Sequence, residues 1–155
     1  MKLALLAALG VVAMHAVHLA LGNRIAARTL LEAQARLGTR VARMIAGQAD
    51  DPMLVGDIMT LHGLVHSAAA DADDTSYCFI LRDGHVVTSS FDGATPAGLV
   101  ALRGAGDTAP VLVTLDDAQV LDVAAPILSG SLGQVRLGLG MKSLRRLRHE
   151  LAVHL

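Results

Sequence analysis

Two pairs of histidines have the spacing best suited to chemistry in this chain. His15 and His18 are three residues apart and His62 and His66 are four apart, so each pair shares one face of a helix. Two imidazoles on one face can bind a metal ion, and a pair inside an apolar segment can also ligate haem or carry protons. Packing against a partner helix or on a polar face explains the pairs more simply, and the second lacks the HExxH glutamate and a nearby third ligand. We predict no cofactor. A redox sensor that binds haem or metal through one of these pairs is kept as the alternative to the function inferred below.

The single cysteine, Cys78, excludes an internal disulfide and any CxxC motif for metal or haem attachment. It lies in the strand-like run TSYCFIL, which predicts a buried structural thiol rather than a reactive one. The GxSxG, phosphate-loop and HExxH motifs are absent. The sequence therefore predicts no catalytic site and no enzyme in these 155 residues.

Composition limits the class of partner. The formal net charge of −1 and the 2 % content of aromatic residues offer neither a basic surface nor a stacking platform for nucleic acid. Apolar residues make up 53 % of the chain and charged residues only 17 %, a balance typical of membrane association. The length of 155 residues suits one ordinary domain with a core of its own.

The apolar excess is concentrated at the N-terminus. Residues 3–21 carry no charge and, as a helix with a rise of about 1.5 Å per residue, nearly span a bilayer core. A cleaved signal peptide is the alternative, with Lys2 before the apolar run and a small-residue site at 13–16. The run continues past that site into a helical pattern, which favours an uncleaved anchor. The architecture favours an orientation with the N-terminus inside the cell. The positions of Arg24 and Arg28 after the span favour the opposite orientation, because basic residues next to a span tend to lie on the cytoplasmic side.

A long helix is predicted to follow the anchor. Leu30, Leu37 and Met44 repeat every seven residues, which gives either a dimer seam or a stripe that docks on the chain's own domain. Residues 50–52, Asp-Asp-Pro, predict its end and the start of a second helix over residues 53–70.

The rest of the chain predicts strands. The runs SYCFILR and HVVTSS flank Asp83 and Gly84, a dipeptide that favours a type I′ hairpin turn. A short helix is predicted over residues 97–103, a third strand over 109–114 and a turn at 116–117. Residues 120–128 and 134–139 then form a hairpin around the turn SGSLG.

This last hairpin leads directly into a predicted outgoing helix. Its apolar stripe has leucines at spacings of three and four: Leu144, Leu147, Leu151 and Leu155. The fold class is therefore α+β, with a long N-terminal helix that begins as the transmembrane anchor, a five-stranded antiparallel sheet with flanking helices, and an outgoing C-terminal helix. A pocket on the less covered side of the sheet is expected.

The order of these elements, with the strings YCFILRDGHVVTSSFDGATPAGL and VLDVAAPILSGSLGQVRLGLGMKSLRRL, resembles the single Cache domain, a PAS-like extracytoplasmic sensor of bacterial histidine kinases and chemoreceptors. The resemblance covers about residues 24–150 and divides the chain into an anchor (1–22), a sensor domain (23–140) and an outgoing helix (141–155) leading toward a second span. It implies a dimer in the bacterial inner membrane, paired through the N-terminal helix, with the sensor domain in the periplasm and a small ligand over the sheet.

The resemblance also implies a ligand site between the first hairpin, the loop after it and the later strands. The polar candidates are Thr88, Ser89 and Ser90, and the charged ones are Arg103, Asp122 and Arg136. Arginine suits bidentate recognition of a carboxylate, although these arginines also fit a solvated face. Asp122 lies in an apolar strand and needs a partner if it is buried. The implied function is ligand sensing in a membrane-bound receptor, with a small molecule, a carboxylate among the candidates, as the signal.

Overall fold

The computed structural model of the chain describes residues 2–70, 74–102, 104 and 106–141, with the side chains of residues 2–13 and 15–27 left out of the description. Contacts divide the chain into two compact units, one ending at Gln34 and the other beginning at Ala35. The helices are α1 (Lys2–Val55), α2 (Ile58–Ala70) and α3 (Ala97–Val100). Over the residues searched, which are the described ones, no helix has the length and apolar character needed to cross a bilayer. The anchor over residues 1–22 stays a prediction.

The junction between α1 and α2 lies later than the sequence suggests. Helix α1 continues through Pro52 and ends at Val55, where the amide of Asp57 donates to the carbonyl of Pro52 across Gly56, with 2.9 Å between the two atoms. Gly56 has φ +72°, so this is a Schellman ending, which satisfies a carbonyl of the last turn. Asp57 then caps α2, because its Oδ1 accepts from the Thr60 amide at 3.0 Å. The break predicted at residues 50–52 is therefore wrong in position.

The five strands form one antiparallel sheet, as predicted. They are β1 (Thr75–Arg82), β2 (His85–Ser89), β3 (Val111–Leu115), β4 (Ala118–Pro126) and β5 (Gln134–Gly140), in the spatial order β2-β1-β5-β4-β3. Asp83 and Gly84 both have positive φ, 51° and 77°, which confirms the tight turn between β1 and β2. A 3₁₀ turn, Leu128–Gly130, lies in the hairpin between β4 and β5. The helix predicted to follow β5 falls, after Met141, outside the described residues.

One side of the sheet, the helix face, packs against α2 and the second half of α1. Its buried apolar strand residues are Cys78, Ile80, Leu121, Val123, Ala125, Val135 and Leu137. Leu61 and Val65 of α2 are fully buried, and α2 contacts β1 and β2. Gly38 of α1 lies so close to Leu139 that an added Cβ would overlap that side chain.

The opposite side of the sheet, the loop face, is covered by the chain between β2 and β3, residues 90–110, which we call the covering segment. Tyr77, Phe79 and Leu81 project to this face and form a buried cluster with Leu99 of α3. Phe91 and Val100 pack against that cluster from the covering segment. Helix α3 is shorter than the predicted 97–103, and the covering segment is therefore mostly irregular.

Candidate functional site

A buried ion pair lies at the centre of the loop face. Arg136 Nε donates to Asp122 Oδ1 at 2.9 Å, and Arg136 Nη2 lies 2.8 Å from the same oxygen. The Tyr77 hydroxyl donates to the other carboxylate oxygen, Oδ2, at 2.7 Å. All three residues are 0 % exposed. The carboxylate predicted to need a partner if buried thus has Arg136 and Tyr77 among its partners, and Arg136 neutralises its charge.

Strand register brings these residues together. Arg136 pairs with Phe79 of β1 and Ala124 of β4, while Gly138 pairs with Tyr77 and Asp122, so their side chains share one face. Any side chain at Gly138 would overlap the ring of Tyr77. The glycine therefore makes the space in which the tyrosine reaches Asp122.

All three aromatic residues of the chain surround this ion pair. The Tyr77 ring centroid lies 5.7 Å from that of Phe79 and 5.5 Å from that of Phe91, with which it is stacked. The Arg136 guanidinium carbon lies 5.3 Å from the centroid of Phe79, within the range of a cation–π contact. The ion pair is therefore fully buried beside two buried aromatic rings, Tyr77 and Phe79.

The guanidinium keeps unused donors, because neither Nη1 nor Nη2 makes a hydrogen bond among the described residues and Nη2 has only its ion-pair contact with Asp122. Arg136 Nη1 is buried and has no hydrogen-bond partner within the described part of the chain. A buried charged donor without an acceptor is costly, on the order of 1–3 kcal/mol or more. Such a group is also prepared to bind an acceptor that a ligand supplies.

A cavity of about 340 Å³ opens on the same face, at the end where the strands turn. Its walls come from the β1–β2 turn, the covering segment and the β4–β5 hairpin: Leu81, Asp83, Gly84, Val100, Gly106, Pro126, Ser129, Gly130, Gly133 and Gln134. Gln134 is 8 % exposed, and its Oε1 is buried without a hydrogen-bond partner in the described region. The volume is in the range of small-ligand pockets.

The cavity and the ion pair are neighbours on the loop face. Leu81 pairs with Gln134, and the next pair with the same orientation is Phe79 with Arg136. Alternate residues of a strand are about 7 Å apart, so the backbone of Arg136 lies one step along the face from Gln134, although Arg136 itself does not line the cavity. Together they form what we call the candidate site.

The three polar candidates at the end of β2 are placed differently. Ser89 pairs with Phe79 and shares the loop face, and its Oγ accepts from the Phe91 amide at 3.2 Å. Thr88 pairs with Ile80 and lies on the helix face, with its Oγ1 3.3 Å from Nδ1 of His62. Neither residue lines the cavity.

Ser90 and Arg103 complete the set of sequence candidates. Ser90 Oγ accepts from the backbone amide of Cys78 at 2.9 Å, so it extends the pairing of β1 and β2 rather than facing the cavity. Arg103 lies outside the described residues. Of the six candidates, the structure joins Asp122 and Arg136 directly, while the hydroxyl groups serve the backbone and the helix face.

The second histidine pair lies on α2. The rings of His62 and His66 are 4.0 Å apart between centroids, and His66 Nδ1 lies 3.1 Å from the carbonyl oxygen of His62. Within the described residues no group of three or more potential metal ligands occurs. His15 and His18 lie where side chains are not described, so the haem alternative falls outside the described residues.

Cys78 is the free thiol of the helix face. It is 0 % exposed, and burial raises the pKa of its thiol to about 12 from the ordinary 9.0. Such a thiol is protonated at neutral pH and is therefore a poor nucleophile and metal ligand.

The sequence analysis did not predict Gln134 as a site residue, and it did not predict the position of the cavity. The signal was available: Gln134 and Arg136 have the same parity on a strand that starts directly after the SGSLG turn, so both face the same side. The cavity walls, in contrast, come from loops whose backbone path no residue pattern specifies.

Comparison with known proteins finds few matches. No family model matches the chain. No curated protein matches it either. Among solved structures, the chain is similar to the periplasmic domain of Vibrio cholerae LuxQ, with a TM-score of 0.48 and 14 % sequence identity. The match covers 73 % of this chain and 62 % of that one. This likeness is too distant to assign a function.

Proposed function

We propose that this chain is the ligand-sensing part of a membrane-bound signal-transduction receptor, with its sensor domain in the bacterial periplasm. The receptor class that we infer, from the resemblance to single Cache domains, is the sensor histidine kinase. The observation that supports sensing is that Arg136 Nη1 is buried without a partner among the described residues, on the strand whose adjacent loop-face residue, Gln134, lines a cavity of about 340 Å³. The proposed signal is a small molecule bearing a carboxylate.

The proposed binding step is an exchange of partners at Arg136. A ligand carboxylate in the cavity accepts from Nη1, and its charge weakens the hold of Asp122 on the same guanidinium. The amide of Gln134, on the cavity wall, supplies a further polar contact. Because a water-excluded site strengthens each of these hydrogen bonds, few contacts suffice for selectivity.

The exchange offers a route from ligand to output. Asp122 belongs to β4 and Arg136 to β5, so a change in their contact alters the hairpin that these strands form. Strand β5 ends at Gly140, directly before the predicted outgoing helix. A ligand that binds two arrangements of the hairpin with different affinity shifts the population between them.

The test is a thermal-unfolding screen of the full 155-residue chain with small carboxylates, amino acids, amines and divalent metal ions. A ligand at a hundredfold excess over its Kd stabilises the folded state by about 2.7 kcal/mol. The Gln134→Leu variant should lose the response to the active carboxylate. Gln119→Leu is the matched control, because Gln119 is an exposed residue of β4 that does not line the cavity.

Two outcomes would overturn the proposal. The first is that no organic compound raises the unfolding temperature. The second is that Gln134→Leu responds to the active compound as the natural chain does. A response confined to metal ions would favour the histidine alternative.

We further propose that two copies of the chain pair through α1. The helix buries one stripe against its own sheet, at Ala42, Ile45 and Ala49. Leu37 and Met44 lie outside this stripe and are 63 % and 58 % exposed. Their seven-residue spacing is the repeat by which identical helices pair, which makes a second copy of this chain the natural partner.

Sedimentation of the full chain tests the pairing. Leu37→Asn with Met44→Asn should produce monomers at concentrations where the natural chain is dimeric. Leu112→Asn is the control, because Leu112 is an exposed apolar residue of β3. A natural chain that sediments as a monomer at all concentrations would contradict the proposal.

A further inference from the structure

Three arginines form a separate charged stripe on α1. Arg36, Arg40 and Arg43 are spaced by four and three residues, so they lie on one side of the helix, and all three are exposed. No carboxylate pairs with any of them within the described residues. Like charges at this spacing destabilise a helix by a few tenths of a kcal/mol per pair. Exposed Glu32 lies four residues before Arg36, but the structure shows no ion pair between the two, so the three arginines of the stripe stay without a paired carboxylate among the described residues.

The stripe borders a recess rather than a flat surface. A second cavity of about 230 Å³ is lined by the three arginines, Ala35, Thr39 and Pro110. Pro110 comes from the segment before β3, so folding is needed to form the recess. The Thr39 hydroxyl donates to the Ala35 carbonyl at 2.8 Å, which leaves the guanidinium groups as the donors available to a ligand.

We infer that this recess binds a phosphate-type oxyanion. A single arginine can match the two oxygens of a carboxylate, whereas three guanidinium groups around one recess match an ion with several oxygens and more than one negative charge. At about 30 Å³ per water molecule, the recess admits such an ion with part of its hydration shell. The ion is either a free phosphate or the phosphate headgroup of a lipid.

This site is independent of the sensing function proposed above. It lies on α1 and the segment before β3, whereas the candidate site is walled by the two hairpins and the covering segment. The two sites also differ in charge, because Asp122 neutralises Arg136 while the arginines of the stripe are unpaired.

The test is calorimetric titration of the full 155-residue chain with inorganic phosphate, against sodium chloride at equal ionic strength. We expect saturable binding of one phosphate per chain. Each Arg→Gln change at Arg36, Arg40 or Arg43 should weaken it roughly tenfold, and Arg→Lys should weaken it less. Arg82→Gln is the control: its exposed side chain pairs only with neighbouring Asp83, at 3.8 Å, and it should leave binding unchanged.

A second titration separates the two sources of phosphate. Dihexanoyl phosphatidate, a soluble short-chain lipid, should bind more tightly than inorganic phosphate if the natural ligand is a headgroup, and no more tightly if it is the free ion. Absence of saturable binding by both compounds would overturn the inference. So would an equal loss of binding in Arg82→Gln and in the stripe variants.

Discussion

The two faces of the sheet differ in what they bury. The helix face is lined mainly by aliphatic side chains, with one protonated thiol and the hydroxyl of Thr88, and helices pack on it. The loop face buries a carboxylate, a guanidinium and a phenol in one network, under a mostly irregular segment. Apolar burial needs no particular partner, whereas each polar group here depends on a specific neighbour. We therefore expect the helix face to contribute mainly to stability, and the loop face is where we propose that a ligand binds.

The largest expected effect comes from breaking the ion pair on the loop face. Asp122→Ala leaves the Arg136 guanidinium buried without a counter-charge and leaves the Tyr77 hydroxyl without its acceptor. Loss of one partner of a buried pair costs about 3–5 kcal/mol. Urea denaturation followed by circular dichroism measures this loss.

The double variant Asp122→Leu with Arg136→Met provides the matched comparison. It removes both charges together and fills a similar volume, so it should recover much of the stability lost in Asp122→Ala. It should nevertheless fail to respond to the carboxylate. If the double variant is as unstable as Asp122→Ala, the cost lies in packing rather than in the unpaired charge.

A slightly smaller loss is expected on the helix face. Leu61→Ala removes a fully buried side chain that packs α2 against the sheet, which costs about 2–5 kcal/mol. Because no polar partner is left unpaired, ligand affinity measured below the lowered unfolding temperature should stay unchanged. An affinity that falls in proportion to stability would contradict the assignment of stability to the helix face and of ligand binding to the loop face.

The hydroxyl groups at the end of β2 give a finer test of the same division. Ser90→Ala leaves the buried amide of Cys78 without its acceptor, at a cost of about 1 kcal/mol. Thr88→Val removes only the 3.3 Å contact with His62 and keeps the volume, so a smaller loss is expected. Chemical denaturation of both variants measures the order. A larger loss in Thr88→Val would contradict this order and would mean that the contact of Thr88 with His62 of α2 contributes more to stability than the hydrogen bond of Ser90 with Cys78.

Local patterns in the sequence predicted most of the secondary structure. Asp83 and Gly84 specify their turn because both residues tolerate positive φ, and the alternating runs around them have the period of strands. The end of α1 was misplaced because Pro52 suggests a first helical turn, although Gly56 provides the stronger stop signal. The remaining strand bounds differ from the predicted ones by a few residues.

The candidate site was predicted only in part, for a physical reason. Asp122 and Arg136 were chosen separately as charged residues in strands, but their contact depends on the register of the β4–β5 hairpin. Once that register is known, the two residues are diagonal neighbours on one face. The cavity depends on where the covering segment lies, which is a tertiary property that no local pattern specifies.

The smallest effect at neutral pH is expected at Cys78, deep in the helix face. Burial raises the pKa of its thiol from 9.0 to about 12, so the folded state keeps the proton that the unfolded state loses. Above pH 9.0 the unfolded state binds fewer protons, and the stability that this group contributes falls as the pH rises toward 12.

Paired denaturation curves of the natural chain and Cys78→Ala test this behaviour. The free energy of unfolding should fall more steeply with alkaline pH in the natural chain, whereas below pH 9.0 the difference between the two chains should be constant. A thiol reagent should label the native chain slowly and the urea-unfolded chain at once. Equal labelling rates in the two states would mean that the helix face opens readily in the folded chain. The claim that packed helices protect this face would then be wrong.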